Sequence, residues 1–164
     1  MGRLLPLVLL LLVGCSGRRF SDRVLVKDGV RYRVGELPAR WRPLEVESND
    51  VAYVSSDSPH TLAINSTCQG TGDASLEVLT RHLLIGFTDR EPVSEERRMM
   101  DGRESLWSRF RAKLDGVPVE MMLVVLKKDG CVYDFTYLSP PGRFEERRAS
   151  FERVLAEFHA EARP

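Results

Sequence analysis

Hydrophobic and polar positions alternate along much of the second half of the chain. Between residues 103 and 114, Leu106, Phe110, Ala112 and Leu114 fall on one side together with Glu104 and Ser108. Trp107, Arg109, Arg111 and Lys113 fall on the other. A period of two predicts a strand with one buried face and one at least partly wet. The next segment, 117–127, is apolar on both sides through Met121-Met122-Leu123-Val124-Val125-Leu126, which predicts a central strand covered on both faces. Residues 131–137 are rich in strand formers. Residues 91–100 are highly charged and contain Pro92, a composition that suits an edge strand. Upstream, 51–55 and 62–68 read as two more strands, separated by the turn-rich stretch 56–59.

Asp-Gly recurs at 28–29, 101–102, 115–116 and 129–130. This dipeptide between apolar runs predicts type I′ hairpin turns, which need positive φ at both central residues. The last three lie fourteen residues apart, so they predict an antiparallel meander of strands about twelve residues long. The first predicts a small hairpin within 24–34.

Two segments carry helical spacing instead. Leu76, Leu79, Leu83 and Phe87 follow Asp73 as a candidate cap, with Gly86 as a terminator. The second helix is expected from Arg143 to about Glu161, with Phe144, Phe151, Val154, Leu155 and Phe158 on one face. Each single apolar stripe must pack on the sheet. The expected fold class is therefore α+β: an antiparallel sheet of about six to seven strands, with a long C-terminal meander, between two main helices.

Charge changes this picture little. The 164 residues hold 24 Lys and Arg against 24 Asp and Glu, which disfavours a nucleic-acid partner. The length suits one domain.

The N-terminus is different. Arg3 precedes an apolar run from Leu4 to Val13, interrupted only by Pro6. Ten residues span roughly 15 Å as a helix, half of a ~30 Å hydrocarbon core, so the segment has the layout of a secretory signal rather than of a transmembrane helix. Leu12-Val13-Gly14-Cys15 then resembles the lipobox of bacterial lipoprotein signal peptides. That resemblance implies a lipid on the Cys15 sulfur and cleavage before Cys15. The expected organisation is a signal peptide over 1–14, a lipidated polar tether over 15–23 and one domain over 24–164. Ser16, rather than Asp, after the cysteine points to the periplasmic face of the outer membrane in Gram-negative bacteria.

Cys68 and Cys131 remain. In an oxidising compartment they form a disulfide, closing a loop of about 60 residues worth on the order of 4 kcal/mol. Free buried thiols or a reactive thiol near Lys127 and Lys128 are the alternatives. Neither cysteine has a second within two to four positions, so zinc has no support.

Little chemistry stands out. No Gly-x-Ser-x-Gly elbow is present, and Gly70-Thr71-Gly72 lacks the residues of a phosphate loop. His60, His82 and His159 are scattered over a loop and two helices and are expected to be exposed. Asn65-Ser66-Thr67 fits a glycosylation acceptor, but the lipobox argues for a bacterial chain. Asp134 interrupts an apolar strand and must be paired, solvated or shifted in pKa; a hydrolytic role for it is the catalytic alternative. Trp107, Arg109, Arg111 and Lys113 form a cationic strip, the candidate binding face for an anionic ligand or acidic protein. The competing expectation pairs those cations with Glu95 and Glu96 on the preceding strand. Met99, Met100, Met121 and Met122 could line a lipid pocket between sheet and helix, although core packing serves equally.

The order of these features resembles the PsbP-like superfamily. This superfamily includes an extrinsic photosystem II subunit, a Ran-binding nuclear-transport factor and DcrB-type lipoproteins. The carriers are Tyr32-Arg33-Val34, Pro38-x-x-Trp41, Leu83-Leu84-Ile85-Gly86-Phe87, the Asp101-Gly102-Arg103 turn, Val132 to Tyr137, and a closing helix with Phe151 and Phe158. The resemblance implies an α/β/α sandwich and a non-enzymatic binding or assembly role. No cofactor or metal is expected. The partners expected are the membrane, through the lipid anchor, and an envelope protein or anionic ligand; a lipid or small-ligand carrier is the alternative.

Overall fold

Three Asp-Gly turns organise the molecule. In the computed structural model, which describes residues 18–27, 29–69 and 73–161, both residues of each turn have positive φ: Asp101 48° and Gly102 75°, Asp115 50° and Gly116 81°, Asp129 51° and Gly130 76°. These are the type I′ values that match the twist of the flanking strands. They join β7 (Phe87–Met100), β8 (Arg103–Leu114), β9 (Val117–Lys128) and β10 (Cys131–Ser139) into a continuous meander.

Three further strands extend it. β4 (Trp41–Pro43), β5 (Val51–Ser55) and β6 (Thr61–Thr67) complete a seven-stranded antiparallel sheet in the order β4-β5-β6-β10-β9-β8-β7. The charged strand β7 occupies one edge, and its pairing with β8 is broken by register shifts between Thr88 and Glu91 and between Pro92 and Ser94. Charge, proline and bulges of this kind discourage edge-to-edge association.

Helix α1 (Leu76–Leu83) covers one face. Ser75, not Asp73, caps it, accepting from the Val78 N–H. Glu77 in its first turn and Arg81 and His82 in its last complement the helix dipole. Gly86, at φ 91°, turns the chain after the helix, and Phe87 begins β7 rather than extending the helical stripe. Leu79 and Leu83 pack on Val125 and Val132, while Leu84 joins Met121, Leu123 and Ala112.

The opposite face is covered by α2 (Glu145–Ala156) and by a second sheet. Phe151, Val154 and Leu155 pack there with Met122, Val124, Leu126 and Trp107. β9 is thus buried on both sides, odd residues towards α1 and even residues towards α2, as its unbroken apolar run predicts.

The second helix is shorter than its apolar spacing predicts. It stops at Ala156, and His159–Glu161 forms β11, antiparallel to β3 (Val30–Arg33). Three residues of the expected tether also belong to the fold: β1 (Arg19–Ser21) pairs with β2 (Val24–Lys27). The small sheet runs β1-β2-β3-β11. Its inner row, Phe20–Leu25–Tyr32–Ala160, packs Leu25, Tyr32 and Ala160 into the main core. Short range sequence cannot reveal a sheet whose first and last strands lie at opposite ends of the chain.

Among the described residues, no helix is long and apolar enough to cross a membrane. The expected signal segment and Cys15 lie outside the described residues.

Candidate functional site

The cations of the strip are all paired with acids, and the strip is closed at its Trp107 end while Arg111 and Lys113 stay about half exposed. Trp107 is only 6% exposed and lies in the core facing α2, its ring 6.5 Å from Phe151. Its indole N–H donates to Ser105 Oγ at 3.0 Å, and the Arg98 guanidinium sits 4.3 Å over the ring. The wet face expected for this end of β8 is therefore closed. Arg109 lies 3.8 Å over the Phe144 ring and pairs with Glu120 and Glu145, each at 3.2 Å. Arg111 meets Glu120 at 3.4 Å and Glu91 at 3.3 Å, and Lys113 meets Asp89 at 2.8 Å. Glu95 and Glu96, the expected partners, go elsewhere: Ser108 donates to Glu95, and Glu96 pairs with Arg98. The bulges in β7 set this exchange, because they bring Glu91 opposite Arg111 and leave Glu96 opposite Trp107.

The four methionines do not converge either. Met121 and Met122 point to opposite faces of β9, Met100 is buried and Met99 is 72% exposed.

Cys68 and Cys131 are bonded. Cys68 follows β6 directly and Cys131 opens β10, where Val132 pairs with Thr67, so the antiparallel register brings the two cysteines opposite each other.

His60 is fully buried, contrary to the exposure expected of a loop histidine. Its ring stacks on Tyr137 at 5.9 Å. Nε2 lies 3.0 Å from the Arg143 carbonyl, to which it must donate, and Nδ1 lies 2.8 Å from Ser58 Oγ. It ties the β5–β6 hairpin to the start of α2. His82 lies exposed on α1, and His159 sits in β11 rather than on a helix, 2.8 Å from Asp101.

The most concentrated polar chemistry lies elsewhere, where the small sheet meets the main one. Asp50, immediately before β5, is 7% exposed. It receives the Lys27 ammonium from β2, the Tyr32 hydroxyl from β3 at 3.3 Å and the Ser66 hydroxyl from β6. Asn65 Oδ1 accepts from the Asp50 N–H at 3.0 Å, and Asn65 Nδ2 donates to Asp134 Oδ1 at 3.2 Å. Asn65 thus bridges the Asp134 carboxylate to the Asp50 backbone, while Lys27 sits on the Asp50 carboxylate.

Burial chiefly raises the Asp134 carboxyl, and the Asp50 charge adds to that, while the Asn65 hydrogen bond and Lys27 oppose it; the result is a value pushed up to about 6. Burial likewise raises the Tyr32 phenol, reinforced by Asp50, so it stays a hydrogen-bond donor. A cleft of about 430 Å³ opens beside the cluster, lined by Arg18, Lys27, Glu47, Ser48, Asn49 and Asp50. Chemically, the cluster can hold a proton on Asp134 up to about pH 6, and it clamps the two sheets together. The described residues include no group of three or more His, Cys, Asp or Glu able to hold a metal ion. Sequence reading singled out only Asp134 and the Asn65-Ser66 pair from this cluster. Lys27 and Asp50 carried no signal, and Tyr32 carried only the family resemblance, because their convergence depends on how the small sheet docks.

No family model and no curated protein matches the chain. Solved structures do. The chain is similar to the solution structure of cyanobacterial PsbP (CyanoP) from Synechocystis, with 20% identity, TM-score 0.56, and coverage of 95% of this chain and 99% of that one. The fold is PsbP-like. The chain is also similar to the crystal structure of LpqN, involved in cell envelope biogenesis of Mycobacterium tuberculosis, at 14% identity and TM-score 0.57 over 81% of this chain and 86% of that one. PA94 from Pseudomonas aeruginosa, of unknown function, matches at 10% identity and TM-score 0.56 over 86% and 94%. The PsbP-like sandwich expected from the order of motifs is the architecture found: a seven-stranded sheet, α1 on one face, α2 and the small sheet on the other.

Proposed function

We propose that this chain is an exported bacterial lipoprotein, held on the cell envelope by lipid on Cys15, whose PsbP-like domain serves as a non-catalytic binding or assembly module. The Cys68–Cys131 disulfide carries the reading, because such bonds persist in oxidising compartments. The lipobox at Leu12-Val13-Gly14-Cys15 supplies the anchor, on the periplasmic face of the outer membrane. LpqN, a structural neighbour described as acting in envelope biogenesis, is consistent with that setting. The filled interface between sheet and α2 favours recognition at the surface over carriage of a lipid inside.

The test is expression of the full chain and of its Cys15→Ser variant in a bacterial host. Mass spectrometry of the N-terminal peptide and membrane fractionation are the readouts. Acylated Cys15 and membrane attachment, both lost in the variant, are expected; unchanged processing and attachment in the variant would overturn the reading.

A further inference from the structure

The small sheet presents an outer face of unusual composition. Its register places Arg19, Val26, Arg31 and Glu161 in one cross-strand row and Ser21, Val24, Arg33 and His159 in the next. Opposed residues project to the same side of a sheet, and the alternate row, Phe20–Leu25–Tyr32–Ala160, is the one turned to the core. Arg19, Arg31 and Arg33 are all exposed. Arg31 pairs with Glu161 at 2.7 Å, but Arg19 and Arg33 have no acidic partner among the described residues. A shallow hollow of about 290 Å³ lies on this face, lined by Arg19, Ser21, Asp22, Val24, Val26 and Arg31.

The balanced charge of the whole chain conceals this asymmetry. Residues 18–33 hold six bases and two acids. The other cations of the segment are engaged: Lys27 with Asp50, Arg23 with Glu157, and Arg18 with the Asn49 carbonyl. The strip on β8, by contrast, has an acid for each of its three cations.

Position matters as much as charge. Three residues lie between Cys15 and Arg19, so four Cα-to-Cα steps span at most about 14 Å. If Cys15 carries the anchor, as proposed above, β1 cannot leave the bilayer surface by more than roughly that distance. The Debye length at physiological salt is about 8 Å, so exposed arginines held this close feel the charge of the lipid headgroups. The β8–β9 turn lies at the far end of a 12-residue strand, about 40 Å from the Asp101 turn that contacts β11.

We propose that the outer face of the small sheet, with Arg19, Arg31 and Arg33 as its cations, rests on the anionic phospholipid headgroups of the bilayer that holds the anchor. The short tether and this face together fix the orientation of the domain. The opposite end of the meander, around Val117, lies about 40 Å along the strands from the turn that contacts this sheet, well outside the proposed contact. This orientation rests on the lipoprotein reading, but the affinity of the face for anionic lipid does not.

The acylated full-length protein, reconstituted into vesicles, tests it. One set of vesicles is phosphatidylcholine alone and the other includes phosphatidylglycerol. An environment-sensitive fluorophore on Ser21→Cys, and separately on Val117→Cys, reports contact with the headgroup region by its emission, which nearness to the bilayer alone does not change. The signal at position 21 should rise severalfold with phosphatidylglycerol and fall back with Arg19→Ala/Arg31→Ala/Arg33→Ala or at about 1 M salt, where the Debye length is about 3 Å. The matching Arg→Lys triple variant should retain it, and the signal at position 117 should not change with lipid composition. An equal signal at position 21 in both vesicle types, or one unaffected by the triple alanine variant, would overturn the proposal. A Cys15 peptide without acyl mass sinks the lipoprotein reading separately. In that case flotation of the unacylated protein with phosphatidylglycerol vesicles, lost in the triple alanine variant, still supports the face, and no flotation refutes it.

Discussion

Asn65 donates to Asp134 across 3.2 Å while its own carbonyl oxygen receives the backbone N–H of Asp50. This one amide ties the Asp134 carboxylate to the backbone of Asp50 in a largely buried setting. Asp134 holds its proton to about pH 6, against an ordinary value of 3.8, chiefly because burial penalises its charge. In the unfolded chain the proton leaves near pH 4. Between those values the folded state binds more protons than the unfolded one, so stability falls as pH rises from about 4 to about 6 and levels off above. Urea denaturation across this window should show that slope in the parent and a flatter one in Asp134→Asn. The variant should gain on the order of 1–3 kcal/mol relative to the parent between pH 3.5 and 7. An equal slope in both proteins would contradict the assignment.

Removing the amide should act in the opposite direction from removing the acid. The Asn65 hydrogen bond favours the charged form of Asp134. Asn65→Ala should therefore move the Asp134 titration above about 6, as read from its side-chain carboxyl resonance by NMR.

The Cys68–Cys131 bond spans a sequence separation of 63 and joins adjacent strands of the main sheet. Its loss in the Cys68→Ser/Cys131→Ser double variant should cost on the order of 4 kcal/mol, because the unfolded chain regains the entropy of an open loop. The fold itself, checked by circular dichroism, should persist. A non-reducing peptide map should recover the two cysteines in one linked fragment.

Gly35 lies against α2, where a Cβ would come within 2.4 Å of the Arg153 carbonyl oxygen and 2.8 Å of the Val154 Cα. Both obstacles are backbone and cannot swing aside. Its N–H also donates to the Val154 carbonyl at 3.2 Å. Gly35→Ala should destabilise by about 1–3 kcal/mol, measured by chemical denaturation. A neutral effect would mean that the small sheet does not dock on α2 this closely.

Glu120 and Glu91 both face Arg111 but differ in exposure, 8% against 64% for the side chains. Glu120→Gln leaves Arg109 and Arg111 without their shared buried acid and should cost about 2–4 kcal/mol. Glu91→Gln, at the solvent edge, should cost less than about 1 kcal/mol. Thermal unfolding of the two variants side by side tests the contrast.

Local chemistry alone determined the meander, because Asp-Gly turns and strand periodicity act over a few residues. The doubly apolar run 121–126 likewise announced a strand buried on both faces. Two cysteines at the ends of strand-like runs announced their own pairing once an oxidising compartment was inferred. Tertiary structure decided the rest. Trp107 shares a strand side with three cations, yet α2 covers that part of β8 and not the remainder, which no period of two encodes. The second helix yields to β11 because Ala160 finds Tyr32, more than a hundred residues away in sequence, and fills the core through it. Asp50, Lys27 and Tyr32 meet only when the small sheet docks. Turn and strand preferences are written residue by residue, whereas the partner of a buried charge depends on which distant segment arrives beside it.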